Sequence, residues 1–289
     1  MNKRYLIISA DDYGISEGTN EAIAELFREE KITSAGILAP APYVKQAASE
    51  AKAGGWSTGV HWTLRSDFNG TDAWTPCAKE GHVSSLTPGG KLPKDPAVIR
   101  KAASRDVTLE LEAQYRYLLS CGVTPDHADS HGGDLYGING RLFFFNAFSL
   151  CRKYGLPFRF AKADAFLERQ FSQKPGNALR FGRRMITCAA RVRKVSLLDD
   201  FFSDPRKAAA IDTPESLKAY YASHLMTLEG RICEVFLHPC RPGDVFESTE
   251  PSWKKRVWEY QYLKSGELTR LAIEQGFIPV SWKEAPFND

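Results

Sequence analysis

The chain alternates short apolar runs with stretches of helical periodicity. Tyr5-Leu6-Ile7-Ile8 opens it and reads as a buried strand, roughly Arg4 to Ala10. Ser16 is a good N-cap, and Ala22, Ile23, Leu26 and Phe27 recur at helical spacing between Glu17 and about Glu29. Ile32 to Ala39 predicts a second strand, ended by Pro40 and Pro42. A helix follows from about Val44 to Lys52, and Gly54-Gly55 break it. Trp56 to Leu64 predicts a third strand. Strand–helix–strand–helix–strand in this order implies parallel strands joined by crossover helices.

The same alternation returns later. Thr108 to Cys121 is an amphipathic helix carrying Leu109, Leu111, Tyr115, Leu118 and Leu119. A short strand around His127 to His131 follows, then a helix over Asn139 to Tyr154 and a strand over Pro157 to Ala161. Pro214 to Leu228 predicts a helix, and Ile232 to Leu237 a strongly apolar strand. Ser252 to Gly276 reads as helix, interrupted near Ser265-Gly266, before a last strand over Phe277 to Trp282.

Two stretches break the pattern. Residues 65–96 are rich in Gly, Pro, Asp, Asn and Thr and show no period. They begin directly after His61 and read as a lid or binding loop, or else as a floppy insertion. Residues 162–214 are helical in places and basic, with Arg180, Arg183, Arg184, Arg191, Arg193 and Lys194 close together. A solvated helix face is the expected reading, and a contact with phosphate or an acidic substrate is the alternative. The organisation expected is one α/β-barrel domain over residues 1–289 with insertions at about 65–96 and 162–214.

Composition narrows the function. At 289 residues and 43% apolar, the chain can bury a proper core. A net charge of +3 is too small to suggest nucleic acid as a partner. The six cysteines contain no Cys-x-x-Cys pair, and a chain this long needs no disulfide framework, so they read as reduced thiols of a cytoplasmic protein. The basic start faintly imitates a signal peptide, but the apolar run stops at Asp11. No stretch is long and apolar enough to span a membrane.

The candidate chemistry lies at strand ends. Asp11 and Asp12 follow the first strand, and His61 closes the third. His127, Asp129 and His131 follow on a later strand, and His238 ends another. If the strands are parallel, all these ends share the edge where α/β folds bind ligands. Two adjacent carboxylates are costly unless a positive charge lies between them or one is protonated. The pair alone reads equally well as solvated helix-capping residues. The gathering of four of the six histidines at the same edge points instead to a site. His127, Asp129 and His131 share a face by the two-residue period. Two imidazoles and a carboxylate suit zinc or a similar divalent ion, with a position left for water. The second Asp is then free to act as a base, and His238 as an acid for a leaving amine.

Four motifs in order carry a family resemblance. Ser9-Ala10-Asp11-Asp12-Tyr13-Gly14-Ile15-Ser16, with Asn20 behind it, resembles the opening of the YdjC-like carbohydrate deacetylases, which include the chitooligosaccharide deacetylases. Gly59-Val60-His61-Trp62-Thr63-Leu64 is similar to their Gly-x-His-x-x-Leu motif. Pro125-Asp126-His127-Ala128-Asp129-Ser130-His131 is similar to Pro-x-His-x-Asp-x-His, and Glu234 to Pro239 to the late His-Pro motif.

The resemblance implies an α/β fold, a distorted (β/α) TIM-like barrel of the polysaccharide-deacetylase type. It also implies one divalent metal ion, magnesium or zinc, held by Asp12, His61 and His131. Asp11 would activate water, and His238 would be the acid or hold the tetrahedral intermediate. His127 and Asp129 would orient the ligands, and a backbone N–H near Tyr13 would help hold the oxyanion. The expected reaction removes an N-acetyl group from an amino sugar or short N-acetylated oligosaccharide and releases acetate. Trp62 and Trp74 are candidates for stacking on the sugar or for packing. The expected partner is a small carbohydrate, with no nucleic acid and no membrane, and at most a second copy as a homodimer. His131 is followed by Gly132-Gly133-Asp134-Leu135 where chitooligosaccharide enzymes tend to carry further histidines, so chitobiose is not assumed. The alternatives are a metal-dependent hydrolase of a phosphoester or non-sugar amide, and a sugar-binding protein without catalysis.

Overall fold

Strand β1 (Arg4–Tyr13) is the hub of the sheet. It pairs in parallel with β2 (Ser34–Ile37) on one side and β8 (Ile232–Leu237) on the other. A short β9 (Phe277–Pro279) adds beside its start. Leu6, Ile7 and Ile8 are buried because both faces of β1 are covered, which is why this strand reads as an unbroken apolar run. The computed structural model describes residues 3–137, 139–171, 174–245, 247 and 252–287.

The strand order is β6-β5-β4-β3-β2-β1-β8-β7, and every pairing is parallel. The remaining strands are β3 (Thr58–Trp62), β4 (Ala128–Ser130), β5 (Phe158–Ala161), β6 (Leu197–Leu198) and β7 (Asp200–Phe202). Only Asp199 separates β6 from β7. Since β6 pairs with β5 and β7 with β8, the eight-strand path nearly closes into a barrel. Helices α1 (Glu17–Arg28), α2 (Val44–Gly54), α4 (Ser104–Ser120), α5 (Phe144–Tyr154) and α8 (Pro214–Leu225) connect the strands, with a short α3 (Pro96–Lys101) before α4. The expected interruption near Ser265-Gly266 is present. Gly266 has φ 71° and divides α9 (Trp253–Ser265) from α10 (Glu267–Glu274). Among the described residues, no helix is long and apolar enough to cross a membrane.

Two expectations change, and a third, left open between two readings, is narrowed. β1 does not end at Ala10 but runs on through Asp11 and Asp12, with its register against β2 shifting between Ala10 and Tyr13. Asp12 sits there at φ 68°, a left-handed conformation that a non-glycine residue adopts at some cost. This irregularity turns consecutive side chains, which would otherwise face opposite ways, toward one site.

Residues 162–214 are not all insertion. They contain α6 (Ala165–Phe171) and α7 (Asn177–Val192), but also β6 and β7, which bring the barrel toward closure. These strands are two and three residues long, with Asp199 between them and Asp200 opening the second, too short for a periodicity to register.

Residues 65–96 are irregular but not floppy. Leu86 and Leu92 are buried. Buried Glu110 on α4 accepts the backbone N–H groups of Cys77 and Ala78, each at 2.9 Å.

Candidate active site

Asp12 is the centre of the polar cluster. Its Oδ1 is approached by His131 Nδ1 at 3.1 Å and by His61 Nε2 at 3.4 Å. Its Oδ2 accepts from Arg256 on α9 at 2.6 Å. Burial alone would raise this carboxyl. The Arg256 charge and the two histidine contacts outweigh burial and hold it well below the usual range.

Each histidine is fixed from behind by a second carboxylate. His61 Nδ1 meets Asp129 Oδ1 at 2.7 Å, and His131 Nε2 meets Asp67 Oδ1 at 3.1 Å. Burial would lower both imidazoles. The surrounding carboxylates win instead, so His61 is pushed up to about 9 and His131 also rises. An excess of negative charge is therefore built into the cluster. One ligand atom each from Asp12, His61 and His131 lie within 4.8 Å of one another, and all three residues are buried. Two imidazole nitrogens and a carboxylate oxygen, each imidazole braced by a carboxylate, form a donor set that fits a divalent metal ion.

Asp11 faces a different partner. Arg159 on β5 grips it with Nη1 at 2.6 Å and Nη2 at 2.9 Å. The same guanidinium donates to Glu234 on β8, from Nε at 2.8 Å and Nη2 at 2.9 Å. Its Nη1 also lies 2.5 Å from Asp129 Oδ2, an ion pair without hydrogen-bond geometry. Arg159 is only 2% exposed, and Trp282 Nε1 completes the group on Glu234 at 3.0 Å.

His238 lies beyond the end of β8 and, with Asp11 and His61, lines a cavity of about 580 Å³. Its backbone N–H donates to buried Glu259 at 2.7 Å. Although 30% of its side chain is accessible, desolvation in the cavity pushes its imidazole down to about 4. It is therefore neutral at pH 7.

The other expected residues fall further out. His127 stacks on Trp282 at 4.7 Å and meets Asp126 at 2.6 Å. The Tyr13 hydroxyl donates to Glu50 on α2 at 2.8 Å, so this side chain anchors the helix layer. Trp62 is fully buried and donates to the Leu111 carbonyl, which makes it a packing residue. Trp74 is 4% exposed and backs the His131 ring at 5.8 Å, so it has no face to offer a sugar.

Asp67, Arg159, Glu234 and Arg256 were not among the expected site residues. Arg159 and Glu234 each carried a signal, a charge placed within an apolar strand. Asp67 and Arg256 carried none. Asp67 also explains the irregular segment after β3. That segment carries a carboxylate to His131, and Arg65 pins its start to Asp134 with Nε at 2.7 Å from Oδ2.

A family model described as YdjC-like protein matches residues 5–274. The chain belongs to the YdjC-like family. A carbohydrate deacetylase of Enterococcus faecalis is 26% identical over 98% of this chain and 98% of its own length. A chitooligosaccharide deacetylase of Proteus mirabilis is 34% identical over 44% of this chain and 48% of its own. A carbohydrate deacetylase of Geobacillus stearothermophilus is 33% identical over 44% of this chain and 49% of its own. The chain thus spans about half the length of some curated relatives it matches and nearly all of another. A crystal structure from Enterococcus faecalis, of a candidate cellobiose-phosphate cleavage protein, superposes with a TM-score of 0.77 at 22% identity. It covers 97% of this YdjC-like chain and 98% of that one, and so supports the barrel.

Proposed function

We propose that this YdjC-like protein is a metal-dependent carbohydrate deacetylase that removes an N-acetyl group from an amino sugar and releases acetate. The observation that carries the reading is the convergence of Asp12, His61 and His131, with Asp11 and His238 on the wall of the adjoining cavity. The names of the relatives point the same way. Asp12, His61 and His131 would hold the ion. Their nitrogen-rich donor set suits zinc better than magnesium, which prefers oxygen. When bound, the ion would polarise the amide carbonyl and lower the pKa of water toward ~7.

The chain's own residues do the rest. Asp129 and Asp67 keep the imidazole lone pairs aimed inward. Arg159 fixes the Asp11 carboxylate facing the cavity, where it takes the proton of the attacking water. His238 enters neutral, so the proton it hands to the leaving amine is the one Asp11 took from the water, passed across the cavity that both residues line. A cytoplasmic setting agrees with the six cysteines, none of which is paired.

The test is Asp11→Asn, assayed by acetate release from N-acetylglucosamine and its oligomers with added zinc or magnesium. Activity should fall at least a hundredfold while the ion still binds. Wild-type turnover would remove Asp11 as the base.

A further inference from the structure

The cavity beside the metal-ligand cluster is lined mostly by apolar side chains. Asp11 and His238 are reserved there for the proposed reaction, and other polar groups of the lining are already engaged. Asp11 is held by Arg159. Arg183 donates to Asp164 at 2.6 Å and to the Lys162 carbonyl. Ser130 Oγ accepts the Leu135 N–H at 3.0 Å.

The remaining wall is apolar. Phe160, Phe201 and Phe236 come from barrel strands, Phe166 from α6, and Leu179 and Ile186 from α7. Helix α7 therefore does more than present a solvated basic face. Its apolar side closes the cavity, while Arg184 and Arg191 lie outside this wall.

A pyranose carries hydroxyls around its rim, and burying them without partners is unfavourable. An apolar chain gains from every side chain on this wall. The volume of about 580 Å³ far exceeds the single methyl of an acetyl group.

We infer that this cavity is a subsite for an apolar chain carried by the amino sugar, so that the preferred substrate is amphiphilic rather than a bare chito-oligosaccharide. The inference rests on the deacetylase reading above and specifies its substrate class. The chain could be the amide's own acyl group or an apolar aglycone, and both present the same methylenes to the wall.

Two measurements test it. The first is calorimetric titration of the full chain with octyl glucoside, below its micelle-forming concentration, against methyl glucoside. The octyl compound should bind at least tenfold more tightly, with a negative heat-capacity change. Ile186→Asp should abolish that gain. Leu179→Asp, at a 41% exposed position that tolerates a charge, should weaken it in the same direction. Equal binding of the two glucosides would overturn the inference.

The second compares kcat/KM across two series, N-acyl glucosamines from acetyl to octanoyl and N-acetylglucosaminides with methyl to octyl aglycones. One series should rise about fourfold per methylene, the ratio that corresponds to about 0.8 kcal/mol per buried CH₂. Which series rises identifies the source of the chain. If both are flat or falling while N-acetylglucosamine is still hydrolysed, the subsite is wrong and the deacetylase reading stands. If no amide is cleaved but octyl glucoside still binds more tightly, the deacetylase reading fails and the apolar subsite stands.

Discussion

Replacing Asp129 by Asn separates two effects on His61. Asp129 meets His61 Nδ1 at 2.7 Å, so that in the neutral ring Nε2 is aimed at Asp12 with its lone pair free. Its charge, with that of Asp11, also overcomes the lowering effect of burial and holds His61 at about 9. The first effect favours a cation, and the second favours a proton. In the proposed metal site, a cation binding at pH 7 must displace that proton, at a cost of about 2.7 kcal/mol or a hundredfold in affinity. Losing the carboxylate that orients a metal-binding histidine costs about 10- to 100-fold.

In Asp129→Asn the two changes oppose one another at pH 7, and zinc affinity should stay within about tenfold of wild type. Near pH 9 wild-type His61 sheds its proton readily and only the orientation loss remains. There the variant should bind about 10- to 100-fold more weakly. Competition against a chromophoric chelator at both pH values measures this, with a thermal melt to confirm folding. A variant-to-wild-type ratio independent of pH would refute the proton competition, and equal affinity at pH 9 would refute the orienting role.

Other perturbations probe the frame around the site. Arg159→Met leaves Asp11, Asp129 and Glu234 buried without their guanidinium and should cost about 3–5 kcal/mol in urea unfolding; a loss below about 1 kcal/mol would show that the carboxylates find other compensation. Glu25 is drawn down to about 2 by hydrogen bonds from Lys264, Tyr260 and Arg241, which tie α1 to α9 and to Arg241. Its folded pKa lies below the ordinary 4.5, so its stabilisation is full above that pH and fades as pH falls toward 2. The melting difference between wild type and Glu25→Gln should therefore shrink on acidification, and a constant difference would point to packing. In Gly59→Ala the new methyl would run into the His127 ring, which is stacked on Trp282, and should destabilise by about 1–3 kcal/mol; an unchanged Tm would mean that the ring gives way freely.

Much of the barrel was legible along the chain. Apolar runs such as Tyr5 to Ile8 and Ile232 to Leu237 report strands covered on both faces, and helical spacing between them requires parallel crossovers. That logic placed Asp12, His61 and His131 at one edge, and the structure brings them within 4.8 Å. It failed for β6 and β7, whose few residues owe their pairing to neighbours rather than to a pattern of their own.

What the sequence determined by itself was therefore which residues gather at the strand ends and the family they resemble. The tertiary structure decided how those residues differ from one another. Asp11 and Asp12 are adjacent in sequence. One is gripped by Arg159, 148 positions away, and the other by Arg256, 244 positions away. His131 is braced by Asp67 from a segment with no period at all. The apolar wall of the cavity comes partly from a helix whose charges suggested a purely solvated face. Periodicity reports that a side chain faces inward. What it meets there depends on strand order, register and chain closure, and those set the local charge and burial on which the chemistry rests.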